Sequence, residues 1–246
     1  MKLSQQEKAA RRAAFRNMSR REKLDHIVTY YKWPILLGLI ALIVLGSFAH
    51  RRLTEKEPVL YLCFANVAVG EELEGSLTDG FLRSAGANGR KQEVYLYRDL
   101  YLSDNADELN HAYAYASRLK LMGAVSAGRL DLVLMNREAY DLLSRGGYLL
   151  ELSPASLADD PSLYAKLLPF LSSNAVILSD NGIAYQLGEA EAHEVEAETV
   201  TNALDVSDLP LFARAGFPDA VYLGVIANSA RRPACLLYLD YLLSDA

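Results

Sequence analysis

The chain has 246 residues, half of them apolar, with 25 Lys/Arg against 31 Asp/Glu and only two cysteines. That is enough apolar chain for one large domain or two small ones, and too few cysteines for a disulfide framework. The charge is divided: residues 1–32 carry a net +6 and everything from Trp33 onward a net −12, which points to two compartments rather than to one nucleic-acid-binding surface.

Residues 1–26 form a basic head, and the stretch from Ser4 to Val28 predicts a short cytoplasmic helix. A basic cluster this close to a bilayer gains about 1 kcal/mol per Lys/Arg from anionic lipid, so it needs no nucleic acid partner. "WPILLGLIALIVLGSFA" (Trp33 to Ala49) carries no charge, and Ile27 to Trp33 extends it with only Lys32 charged. A bilayer is crossed by about 20 apolar residues, so Ile27 to Ala49 predicts a transmembrane helix. Tyr30, Tyr31 and Trp33 suit the headgroup level, and the basic head assigns the N-terminus to the cytoplasm. Ser47-Phe48-Ala49 also resembles a small-x-small cleavage site, so a cleaved leader is the alternative to an uncleaved anchor. Residues 50–57 are a polar linker, and residues 58–246 form the expected extracytoplasmic domain.

In that domain, Val59 to Val69 is almost wholly apolar, as in a strand covered on both faces. Glu71 to Gly86 predicts a helix with a Gly stop, and Gln92 to Leu102 a second strand. The next helix opens at Ser103 or Asp104 and stops at Gly128, with Leu109, Ala112, Ala116, Leu119 and Met122 on one face as its expected core side. Leu130 to Met135 is a third strand, and Asn136 to Gly147 a capped helix with a Gly stop. Strands alternating with helices predict an α/β fold with a parallel-rich sheet and flanking helices. Beyond it, "PSLYAKLLPFL" looks helical. Asn174 to Gly188 predicts a hairpin around an Asp180-Asn181-Gly182 turn, and the acidic run 189–200 a solvated strand or loop. Ala220 to Ile226 is the last strand, followed by a cap at Asn228 or Ser229 and a helix to Leu243.

"SAGRLDLVLMNREAYDLLSRGGYLLELS" (Ser126 to Ser153) resembles type 2 periplasmic, or extracellular, solute-binding proteins of ABC importers, in which a short strand opening with Asp leads into a helix, a Gly and an L-x-x-L stretch. "VYLGVIANSARRPACLLYLDYLL" is similar to their closing strand and helix. "REKLDHIVTYYKWPIL" resembles the start of single-pass membrane proteins of Gram-positive bacteria. The resemblance implies a lobe of a ligand-binding protein, and an α/β sheet of this kind would hold a ligand beyond the carboxyl ends of its strands, near Val69, Leu102 and Asn136. Only Ser153 to Asp219 is left for the second lobe such proteins carry, so that lobe is expected to be abbreviated. No ligand-contact residue carries over.

Several constellations invite chemistry. Ser117-Arg118-Leu119-Lys120 with Ser179-Asp180-Asn181 matches S-x-x-K and S-D-N of the penicillin-recognising enzymes, but their K-T-G is absent. Asp104, Asp107 and His111 have a spacing that permits metal binding, and equally suit an acidic helix start. His193 stands among Glu189, Glu191, Glu194, Glu196 and Glu198, as on a solvated face. Tyr95, Tyr97 and Tyr101 cluster, as do Tyr113 and Tyr115; packing is the first reading and stacking on a ligand the second. Cys63 and Cys235 fit two buried thiols better than a disulfide. Asp131, at the amino end of its strand, is expected to accept local backbone N–H groups. No catalytic residue, metal site or cofactor is assigned, and the ligand-binding residues stay unknown.

The expectation is a membrane-tethered, extracytoplasmic, non-enzymatic binding or protein-interaction domain. Its partners are the bilayer, through Ile27 to Ala49, and an envelope or membrane protein. A receptor feeding an ABC-type importer is the alternative, and a cell-envelope hydrolase a remote one.

Overall fold

Apolar β-branched and leucine-rich runs set the centre of the domain. In the computed structural model, which describes residues 33–34, 36–47, 56–104, 110–158, 160–188 and 191–244, strand β1 (Glu57–Ala65) has every residue from Leu60 to Ala65 buried. The chain divides into two units, Met1–Glu55 and Lys56–Ala246. In the first, residues 33–34 and 36–47 are helical, and side chains such as Leu37, Leu42 and Leu45 stand exposed. Among the described residues no helix is long and apolar enough to cross a membrane. Residues 27–32, 35 and 48–49 of the expected span, and the whole basic head 1–26, lie outside the described residues.

In the second unit, β1 is followed by α1 (Glu71–Gly75), a π-helical turn (Ser76–Gly80) and α2 (Phe81–Ser84). Then come β2 (Gln92–Leu100), α3 (His111–Ser126), β3 (Leu132–Met135), α4 (Arg137–Arg145) and α5 (Pro161–Leu167). The chain closes with β4 (Leu171–Asp180), α6 (Gly182–Gln186), β5 (Val195–Asp205), α7 (Pro210–Ala215), β6 (Tyr222–Val225) and α8 (Arg232–Ser244). The expected glycine stops hold: Gly86, Gly128 and Gly147 sit at φ +65, +62 and +66, a conformation that costs glycine little. Asn136 caps α4, its side chain accepting from the Ala139 N–H at 3.0 Å.

The six strands form one sheet in the order β2-β1-β3-β6-β5-β4. β1 runs parallel to β2 and β3, whereas the pairings β3–β6, β6–β5 and β5–β4 are antiparallel. The sheet is therefore mixed, not parallel-rich. The reason lies in the connections: helical crossovers return β1, β2 and β3 in one direction, while β4 and β5 meet through a short excursion that forces an antiparallel pair. The segment expected to supply a second lobe does not form one. Its strands β4 and β5 join the same sheet, and Leu163, Leu167, Leu209 and Phe212 pack into the same core as β1.

That core lies on one face of the sheet, beneath α1, α2, α5, α7 and α8, and a second lies on the other face beneath α3 and α4. Cys63 belongs to the second and Cys235 to the first. Both are free, buried thiols, pushed up to about 12 chiefly by burial. The π-turn is held from α8. Its carbonyls at Ser76 and Leu77 accept the hydroxyls of Tyr241 and Tyr238 at 2.9 and 3.0 Å. Gly80 makes room for this contact, because a Cβ there would lie 2.5 Å from the Tyr241 hydroxyl.

Three further local expectations are corrected. α3 begins at His111 rather than at Ser103 or Asp104, with 105–109, including Leu109, outside the described residues. Its buried face is Ala114, Ser117, Leu121, Ala124 and Val125, while Ala112, Ala116, Leu119 and Met122 face outward. The helix carries apolar side chains on both sides, so periodicity alone could not choose the buried one. The hairpin is also longer than expected. Asp180-Asn181-Gly182 leads into α6, and the returning strand is the acidic run, as the first half of β5.

Candidate functional site

The carboxyl ends of the parallel strands are where the fold class would hold a ligand. Here asparagines occupy them in structural roles. Asn66 adopts φ +57, and its side chain donates to the Leu102 carbonyl and accepts the Leu102 N–H, both at 2.7 Å. Asn136 is committed to the α4 cap. Between α3 and α4 lies a cavity of about 170 Å³, lined by Leu102, Leu121, Met122, Leu142 and Tyr148 with the Arg118–Asp104 ion pair (2.7 Å) also on its wall. It is smaller than the usual ligand pocket of about 300–1,000 Å³.

The sequence-derived constellations separate. Ser117 is buried on α3, its hydroxyl accepting the Tyr101 N–H at 3.2 Å. Ser179 lies on β4 and donates to Glu196 at 3.4 Å. α3 packs on β2, the edge opposite β4, so the two serine motifs do not meet. Asp104 pairs with Arg118 rather than with His111, and Asp107 lies outside the described residues. Among the described residues no three His, Cys, Asp or Glu side chains converge as a metal site would require.

Asp131 is fully buried. One of its oxygens accepts the Tyr61 N–H at 2.8 Å and the other the Ser229 hydroxyl at 2.6 Å, with Arg231 at 3.4 Å. These partners come from distant chain, not from the local turn expected. Arg231 in turn donates to the Gly128 carbonyl at 2.9 Å and stands 4.5 Å from the Tyr61 ring centre. The carboxylate thus ties β1, β3 and the start of α8 together. It also anchors a surface feature that the sequence did not reveal. Tyr61, Tyr95 and Tyr97 pack ring to ring at 5.1–6.4 Å, and Lys120 lies 5.7 Å over Tyr97. Burial and its tyrosine neighbours raise the Tyr97 phenol, and the nearby charge of Arg129 opposes them. Tyr101 leaves this group and stacks on Tyr113 at 6.2 Å. Tyr115 faces solvent.

The other feature is the β4–β5 arm. Its base is fixed to α4: Tyr140 and Ser144 share hydrogen bonds with the buried Asn202, and they donate to the Ser172 and Ala175 carbonyls. Its tip is equally ordered. Asp180 accepts from Gly182 N–H at 2.7 Å and meets His193 at 2.9 Å, while Asn181 clamps Ala192 and Glu194. The bond to His193, followed by that to Gly182, holds the Asp180 carboxyl below its ordinary value. His193 stacks on Tyr185 at 5.9 Å. Yet the arm leaves Ile183 77% and Leu187 68% exposed, with Leu178 and Val195 beside them. Glu194, just before β5, and Glu196 and Glu198 on it are exposed. The E-V-E-A-E alternation at 194–198 was the one sequence signal for this strand. No protein-family model matches the chain, and no curated protein or solved structure is detectably similar to it.

Proposed function

We propose that the chain is a membrane-tethered extracytoplasmic domain, of solute-binding-protein type and without catalytic role, that acts by holding another envelope or membrane protein. The observation that carries this reading is the β4–β5 arm. A tip fixed by five hydrogen bonds, with large apolar side chains turned to solvent, is costly for a free surface and natural for a contact. Support for the tether comes from the uncharged helix at 36–47, whose leucines are exposed all round. A helix apolar on every side calls for a covering medium. The division of charge at Trp33 supports the orientation.

The test is a photo-crosslinking residue at Ile183 in living cells, with the same residue at Arg214 as control. A discrete adduct from position 183 alone supports the reading, and equal labelling from both positions sinks it. The receptor alternative rests on the cavity between α3 and α4. A thermal-shift screen of sugars, amino acids and peptides separates it, since a ligand that binds the native state raises the melting temperature.

A further inference from the structure

α3 is apolar on the side turned away from the sheet. Ala112, Tyr115, Ala116, Leu119, Met122 and Gly123 stand there in one row, all exposed, with Tyr115 at 60% and Leu119 at 52%. The row follows helical spacing and holds no charge, and a helix apolar on both sides calls for cover on both. The cations beside it are engaged within the chain, Arg118 with Asp104 and Lys120 over the Tyr97 ring. A Cβ on Gly123 would meet nothing within 4 Å, so the packing of its own chain does not require a glycine there, whereas a closely packed neighbouring helix would.

The row is its own complement in size. When α3 lies antiparallel to a second α3 with both Leu119 side chains at the symmetry axis, residues equally far before and after Leu119 come level. Tyr115 is then level with Gly123, and Ala116 with Met122. Each layer holds one large side chain and one small, the pattern by which facing helices interdigitate. A parallel pairing would instead set Tyr115 against Tyr115 and Gly123 against Gly123. α4 repeats the symmetry in charge. α3 leads into the amino end of β3, and α4 leaves its carboxyl end and returns to Leu149, which is bridged to Ile226 beside the amino end. The two helices therefore run side by side in one direction. Arg118, Leu121 and Met122 share a cavity with Leu142 and Leu143, which puts Leu119 about level with Asp141. Glu138 and Arg145, both exposed and about two turns apart on α4, lie on either side of that level. The same rotation brings Glu138 of each copy level with Arg145 of the other.

We propose that the outer face of α3 packs antiparallel on α3 of a second copy of this chain, in a two-fold dimer flanked by two Glu138–Arg145 pairs. The size pattern of α3 and the charge order of α4 select this occupant separately, because each is complementary to itself under one rotation. The axis crosses the strands, so the β1–β2 edges of both copies stay on the same side, as two chains tethered in one bilayer require. Two-fold dimers are the commonest closed assembly. The contact uses a different surface from the β4–β5 arm and does not rest on the arm's holding a protein.

The experiment uses the full chain in a mild detergent, with sedimentation equilibrium across concentration. Wild type is expected to dimerise, and Leu119→Asp to weaken association by about tenfold or more, since two carboxylates then meet at the axis. Glu138→Arg and Arg145→Glu are each expected to weaken it about fivefold. Both together in one chain should restore it, because the pairs form again with their signs exchanged. All three positions are exposed, and unchanged melting temperatures show that folding is not the cause. Cysteine pairing in membranes, with a mild oxidant, checks the register. Leu119→Cys is expected to give a disulfide dimer, and a mixture of Tyr115→Cys with Gly123→Cys to give the mixed dimer more readily than either variant pairs with itself. A wild type that stays monomeric, a Leu119→Asp chain that associates as wild type does, or a double charge exchange that fails to recover association overturns the proposal. So does a mixture of the two cysteine variants with no preference for the mixed dimer.

Discussion

Asp131→Ala removes a carboxylate with no solvent exposure that accepts two hydrogen bonds shorter than 3 Å, from Tyr61 N–H and Ser229 Oγ. Hydrogen bonds to a charged group contribute about 1.5–3 kcal/mol each, and the buried donors left behind lose their partner. The Arg231 contact adds little, because at 3.4 Å it is loose and the guanidinium is partly exposed. Alanine also leaves a small void between β1 and β3. The expected loss is about 4 kcal/mol, a large share of a domain's stability of about 5–15 kcal/mol. It should lower the melting temperature by roughly 8–16 °C at this size. Asp131→Asn keeps the shape and one acceptor, and should lose about half as much. The assay is urea unfolding of the Lys56–Ala246 unit followed by circular dichroism, with an unchanged slope as the sign of an unaltered fold. A loss under about 1 kcal/mol for alanine would mean that the carboxylate is not the tie between strands.

Gly80→Ala should cost about 1–3 kcal/mol through its clash with the Tyr241 hydroxyl, and adding Tyr241→Phe should return part of it; additive losses in the double-mutant cycle would refute the clash. Arg98 donates two hydrogen bonds to Glu74, at 2.8 and 2.6 Å, and so holds its carboxyl below the ordinary 4.5. A depressed folded value gives stability that is present above the unfolded value and lost as pH falls through the folded one. The gap between wild type and Glu74→Gln, small for so exposed a pair, should therefore be open at neutral pH and close in acid; a gap that widens in acid contradicts the pairing. A chain from Thr54 to Ala246 should be soluble and melt cooperatively, since its two clusters supply the core; aggregation under all mild conditions argues otherwise. A reporter fused after Ala246 should be active only outside the cytoplasm, and activity confined to the cytosol would falsify the orientation.

Local chemistry made part of this protein legible without its structure. The order of strands and helices through Arg145, the Asn136 cap, and the glycine stops at 86, 128 and 147 all follow from short-range rules that a linear sequence carries. Period, cap and positive φ are properties of a few neighbouring residues. Tertiary structure decided what those rules cannot weigh. Strand direction past β3 depends on where the chain returns, so the sheet became mixed. α3 offered apolar side chains on both faces, and its packing on β2 decided which face was buried. The Asp180-Asn181-Gly182 turn was captured by residues 192–194, which turned a tight hairpin into an arm with a helix at its tip. The partners of Asp131 lie 70 and 98 residues away, and the cluster of Tyr61, Tyr95 and Tyr97 with Lys120 and Arg231 gathers residues from β1, β2, α3 and the approach to α8. Such sites arise because folding brings distant positions within a few ångströms, and sequence separation carries no record of that distance.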